Sequence, residues 1–92
     1  MKQVRVIVRK TKEYQSIKVV AEKVYKWEQD ERDLFDKSLR YLFLDLTEPT
    51  IESQYESYYW IIPSDKNTEE LINKIKESLS PYFVISEIIY QQ

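Results

Sequence analysis

An α+β domain, with one antiparallel sheet of four strands and two helices on a single face, is the architecture this chain predicts. Three observations lead to it. Val4, Val6 and Val8 alternate with Arg5, Ile7 and Arg9, the period-2 signature of a strand. Two segments, beginning near Tyr14 and near Asn67, repeat apolar residues at spacings of three and four, as amphipathic helices do. Two further strand-like runs lie between these segments and another follows the second, so the order reads β-α-β-β-α-β.

Each element has a local reason. The valines of the first strand are β-branched and face a core. Thr11 serves as N-cap for a helix whose apolar face is Tyr14, Ile17, Val20, Ala21, Val24 and Trp27, with Lys18, Glu22, Lys23 and Lys26 outside. The acidic run 28–33 either ends this helix or forms its solvated outer turn, in which case Leu34 and Phe35 carry the helix to about Lys37. Leu39 to Leu46, apolar on both faces, reads as a central strand, and residues 47–50 as a proline-closed turn. Tyr55 to Ile62 is the third strand, stopped by Pro63. Asn67 and Glu70 form a capping box for a helix with Leu71, Ile72, Ile75 and Leu79 on one face, ended at Ser80-Pro81. Tyr82 to Tyr90 is the last strand. With right-handed crossovers these elements form a single ferredoxin-like domain over residues 1–92, one sheet face covered by helices and the other bare.

No glycine, cysteine or histidine occurs among the 92 residues, and this bounds the chemistry. Glycine-rich phosphate loops, thiol nucleophiles, imidazole bases and the usual zinc ligands are excluded. The expectation is a chain that is not an enzyme and holds no cofactor or metal. Residues 1–26 contain eight Lys/Arg and two acidic side chains, and the remainder six and fourteen, within a net charge of −2. Such asymmetry suits an anionic groove or self-association of unlike faces. No disulfide is available, no apolar signal core is visible, and the longest apolar run, Tyr58 to Ile62, is too short to span a bilayer. The expected setting is cytoplasmic, without a membrane.

The partner-binding candidates follow from the bare face. Arg5 and Arg9 lie there with Ile7, and Arg40 or Tyr41, Tyr59 or Trp60 join them according to register; Lys10 and Lys12 extend the basic end of the first strand. Aromatics beside arginines on an open sheet suit single-stranded nucleic acid, whereas an apolar face suits a dimer or another protein. The acidic cluster Glu28, Asp30, Glu31, Asp33 and Asp36 lacks the ligand spacing of a calcium loop and reads as a solvated helix end. Asp45, Glu48 and Asp65 are the carboxylates at strand ends, the places where a catalytic metal would gather ligands.

From Tyr58 the run YYWIIPSDKNTEELINKIKESLSPYFVISEI resembles the closing β-α-β of the small CRISPR-associated spacer-acquisition proteins and their toxin or antitoxin relatives. The resemblance covers about a third of the chain and rests on pattern. It implies a ferredoxin-like fold and sheet-mediated dimers. It also implies an aspartate at the end of the first strand for metal-dependent nuclease activity, where this sequence has Arg9-Lys10.

The leading expectation is therefore a non-catalytic protein-interaction module, a homodimeric regulator or inhibitor of viral, plasmid or toxin–antitoxin type, acting on a protein or nucleoprotein partner. The alternatives are a nucleic-acid binder using Arg5, Arg9, Lys10, Lys12 and the sheet tyrosines, and an atypical metal-dependent nuclease using Asp45 and a neighbouring carboxylate.

Overall fold

The computed structural model describes residues 2–92. Its elements run β1 (Lys2–Lys10), β2 (Tyr14–Ala21), a short 3-10 turn (Val24–Lys26), α1 (Gln29–Leu39), β3 (Thr50–Glu52), β4 (Ser57–Pro63), α2 (Thr68–Leu79) and β5 (Phe83–Gln91). They build one five-stranded sheet in the order β3-β4-β2-β1-β5. All neighbours are antiparallel except β1 and β5, which are parallel. The predicted four-stranded antiparallel ferredoxin-like sheet is therefore corrected to a five-stranded mixed sheet with two helices.

The correction begins at Tyr14. Residues 14–21 form a strand, not a helix, because a second periodicity wins: Gln15, Ile17, Val19 and Ala21 alternate into the core while Tyr14, Ser16, Lys18 and Val20 face the other side. Adjacent β-branched Val19 and Val20 favour that extended form. Thr11 uses its capping chemistry to close a hairpin: its backbone N–H donates to Tyr14 O at 2.8 Å, and its hydroxyl accepts from the Tyr14 N–H at 3.2 Å. The acidic run starts α1 and does not end a helix. Glu28 and Glu31 form a reciprocal capping box, the Glu28 N–H donating to Glu31 Oε1 at 2.8 Å, and Asp30 and Glu31 sit at the positive end of the helix dipole.

The predicted strand Leu39–Leu46 is also corrected. Leu39 ends α1 and the following residues form successive turns, with the Leu46 and Thr47 N–H groups both donating to Phe43 O at 2.8 Å. Phe35, Leu39 and Phe43, four residues apart, are buried, so the apolar pattern here is helical. In α2 half of the expected capping box is present, Asn67 Oδ1 accepting from the Glu70 N–H at 3.1 Å, and Leu71, Ile72, Ile75 and Leu79 are the buried face as expected.

Both helices lie on one side of the sheet. Val4, Val6 and Val8, Ile17 and Val19, and Tyr58, Trp60 and Ile62 meet the apolar faces of α1 and α2 there. Phe35 is the hub, with ring centroids 5.2 Å from Trp27, 5.4 Å from Tyr58 and 5.3 Å from Phe83. A bulge at Ser86 shifts the β1–β5 register between Val4–Ile85 and Arg5–Glu87. Phe83 and Ile85 face the core before the bulge and Ile88 after it. Among the described residues, no helix is long and apolar enough to cross a membrane.

Candidate partner-binding face

The side of the sheet away from the helices is built by pairing alone. Register places Tyr59, Lys18, Ile7 and Ile89 in one cross-strand row. Ser57, Val20, Arg5 and Glu87 make the row on one side of it, and Ile61, Ser16, Arg9 and Gln91 the row on the other. Period 2 aligns these side chains on β1, β2 and β4, where each alternates with a buried neighbour, and pairing with β1 adds Glu87, Ile89 and Gln91 of β5. Ile7, Val20, Tyr59 and Ile89 are half-buried and Ile61 is 45 % exposed, so an apolar strip crosses the face.

Charges on this face are largely matched. Arg5 Nε is 3.1 Å from a Glu22 carboxylate oxygen, and Lys18 Nζ is 3.1 Å from Glu52. Glu52 also accepts from the Ser57 hydroxyl at 3.4 Å. Glu87 stands opposite Arg5 across the β1–β5 ladder. Arg9 has no carboxylate within ion-pair distance among the described residues.

Of the predicted partner-binding residues, the sheet brings Arg5, Arg9 and Tyr59 together. Lys10 ends β1 and Lys12 lies in the adjoining turn, both exposed. Trp60 is on the other side: it is buried in the core with its ring 5.2 Å from Phe43, because Tyr59 takes the open side and the pleat alternates. Arg40 and Tyr41 belong to a separate surface at the end of α1. Arg40 Nε donates to Asp36 at 3.0 Å, and its guanidinium carbon lies 5.5 Å from the centroid of the Tyr55 ring. The buried Tyr58 hydroxyl donates to the other Asp36 oxygen. Desolvation first, and then this bond, raise the Tyr58 pKa, while the bond to Asp36 raises that of Arg40.

Residues that sequence reasoning missed include Val20, Lys18 and Ile89. The first two were hidden by the helical reading of 14–27, and the alternation Gln15-Ile17-Val19-Ala21 was the signal that places them. Ile89 depended on the bulge. The carboxylates Asp45, Glu48 and Asp65 do not converge: among the described residues, no three such groups are grouped to hold an ion.

Comparison with protein-family models, with curated proteins and with solved structures returned no match.

Proposed function

We propose that this chain is a non-catalytic protein-interaction module, a dimer-forming regulator or inhibitor of the cytoplasm, whose partner-binding surface is the helix-free face of its sheet. The observation that carries this reading is the strip Val20, Ile7, Tyr59, Ile61 and Ile89, set beside Arg5 and Lys18, which already have carboxylate partners. Five strands about 4.8 Å apart and roughly seven residues long offer a footprint of about 550 Å². That is most of the roughly 800 Å² per partner of a standard interface. With Arg5 and Lys18 engaged by glutamates, Arg9 is, among the described residues, the one cation in these rows left to offer a phosphate backbone, so the apolar contact favours protein.

Tyr59→Glu and Ile7→Lys place charges in the strip without touching the core. Sedimentation over a range of concentrations, together with capture from the native host, should show association with a second copy or another protein that both substitutions abolish. A wild-type chain that stays monomeric and captures no protein in a manner dependent on Tyr59 would remove the proposal.

A further inference from the structure

Beyond the open face, the opposite end of β1 holds a second concavity with its own chemistry. After β2 the chain turns over residues 22–27 and passes the beginning of β1. Lys2, Gln3, Glu22, Lys23, Lys26 and Trp27 enclose a space of about 250 Å³. Three lysines and one glutamate therefore line one small cavity. The nearby carboxylates already have partners, Glu31 with Lys2 of the cavity itself. Glu22 is 3.1 Å from Arg5 Nε. Glu31 accepts the Glu28 N–H at 2.8 Å and lies 3.6 Å from Lys2. Asp30 accepts the Glu31 N–H at 3.0 Å. Lys23 and Lys26 have no carboxylate within ion-pair distance among the described residues.

The turn that carries them is set by its backbone. Lys23 has φ 51° and ψ 40°, a left-handed conformation that a residue with a Cβ adopts at a cost. The Lys26 and Trp27 N–H groups donate back to Lys23 O and Val24 O, each at 2.9 Å, and fix the turn. Tyr25 projects beside it, 73 % exposed, with the Lys26 ammonium 5.9 Å from its ring centroid.

We propose that this concavity holds a phosphate of a nucleotide, either free or within a single strand, with the base stacked on Tyr25. Lysine ammonium groups are compact point charges that gather readily around the several oxygens of one phosphate. An exposed aromatic next to a basic cavity is the stacking platform that bases use. The inference needs nothing from the sheet face, and either reading can fail alone.

Its test uses a fluorescein-labelled single-stranded oligonucleotide, read by anisotropy, and an unlabelled nucleoside triphosphate, read by calorimetry, both at low salt. Lys23→Gln with Lys26→Gln should weaken binding at least about tenfold, the loss of two charge-assisted contacts. For the oligonucleotide the same pair should flatten the dependence of log K on log salt by up to about 0.7, the share of one phosphate. Tyr25→Ala should weaken binding about tenfold again. Lys10→Gln with Lys12→Gln, at the far end of β1, should leave it unchanged. Gln54 already occupies a left-handed position in this chain, so glutamine is a tolerable residue at Lys23. Binding of the triphosphate identifies a free nucleotide, and binding of the oligonucleotide alone identifies a strand. No binding of either probe, or binding equally sensitive to the Lys10 and Lys12 pair, overturns the assignment.

Discussion

Replacing Gln54 by glycine probes how a chain without glycine makes a left-handed turn. Ser53, Gln54 and Tyr55, between β3 and β4, run consecutively at φ 49°, 55° and 70°. In that region the Cβ of an L-residue crowds the following carbonyl, at about 1–2 kcal/mol per residue. Gln54 is the residue to change because its side chain is exposed, whereas Tyr55 stands against Arg40. Glycine at this position removes the crowding, and its greater freedom in the unfolded chain takes back about 0.4–1 kcal/mol. The balance is a stabilisation of about 0.5–1 kcal/mol, or a rise in Tm on the order of 3–6 °C for a domain of this size. Thermal unfolding followed by circular dichroism measures it. Lys12→Gly is the control: Lys12 is exposed and is not among the residues of positive φ, so that variant should lose about 0.5–1 kcal/mol. If Gln54→Gly lowers the Tm as Lys12→Gly does, the turn carries no such strain and the reasoning fails.

Three further outcomes follow from buried polar groups and caps. Gln15 is fully buried, donating to Pro63 O at 3.2 Å and Lys66 O at 2.8 Å and accepting from the Thr68 hydroxyl at 2.6 Å. Gln15→Leu strands all three groups and should cost about 2–3 kcal/mol in urea unfolding; a change below half of that refutes the role. Tyr58→Phe loses the hydroxyl bond to Asp36 and should cost about 1–2 kcal/mol at pH 7. Because folding raises the Tyr58 pKa, its contribution is present below the ordinary value of 10.0 and is lost as pH rises above it. Wild type should therefore fall toward the variant by about 1.4 kcal/mol per pH unit above that value, and parallel curves would contradict this. Glu31→Ala opens the α1 capping box and removes the contact with Lys2, costing about 1 kcal/mol, while Glu31→Gln keeps the acceptor and most of the stability.

How far the sequence could be read depended on whether one period stood alone in a segment. The valines of β1 fit only period 2, and α2 fits only the helical spacing with a cap and a proline stop, so both are legible. Residues 14–21 satisfy two periods at once, since Tyr14, Ile17, Val20 and Ala21 fit a helix and Gln15, Ile17, Val19 and Ala21 fit a strand. A buried glutamine is what tips the balance: its partners at Pro63, Lys66 and Thr68 lie far along the chain and are invisible locally. Leu39 to Leu46 is apolar at nearly every position, so burial could not assign a period, although Phe35, Leu39 and Phe43 kept the spacing of four. The open face was half legible. Arg5, Ile7, Arg9 and Tyr59 came from strands correctly placed, while Val20, Lys18 and Ile89 required the β2 register and the Ser86 bulge.

The parallel ladder between β1 and β5 also governs the order in which the molecule can assemble. It runs from Lys2–Phe83 to Arg9–Gln91, so β1 finds one of its two neighbours only in a strand made much later along the chain. Until residues 83–91 emerge, β1 can form its hairpin with β2 but keeps an open edge beside a half-covered valine core. The sheet closes only across this long separation, which slows folding and leaves the β1 edge open to aggregation until β5 emerges.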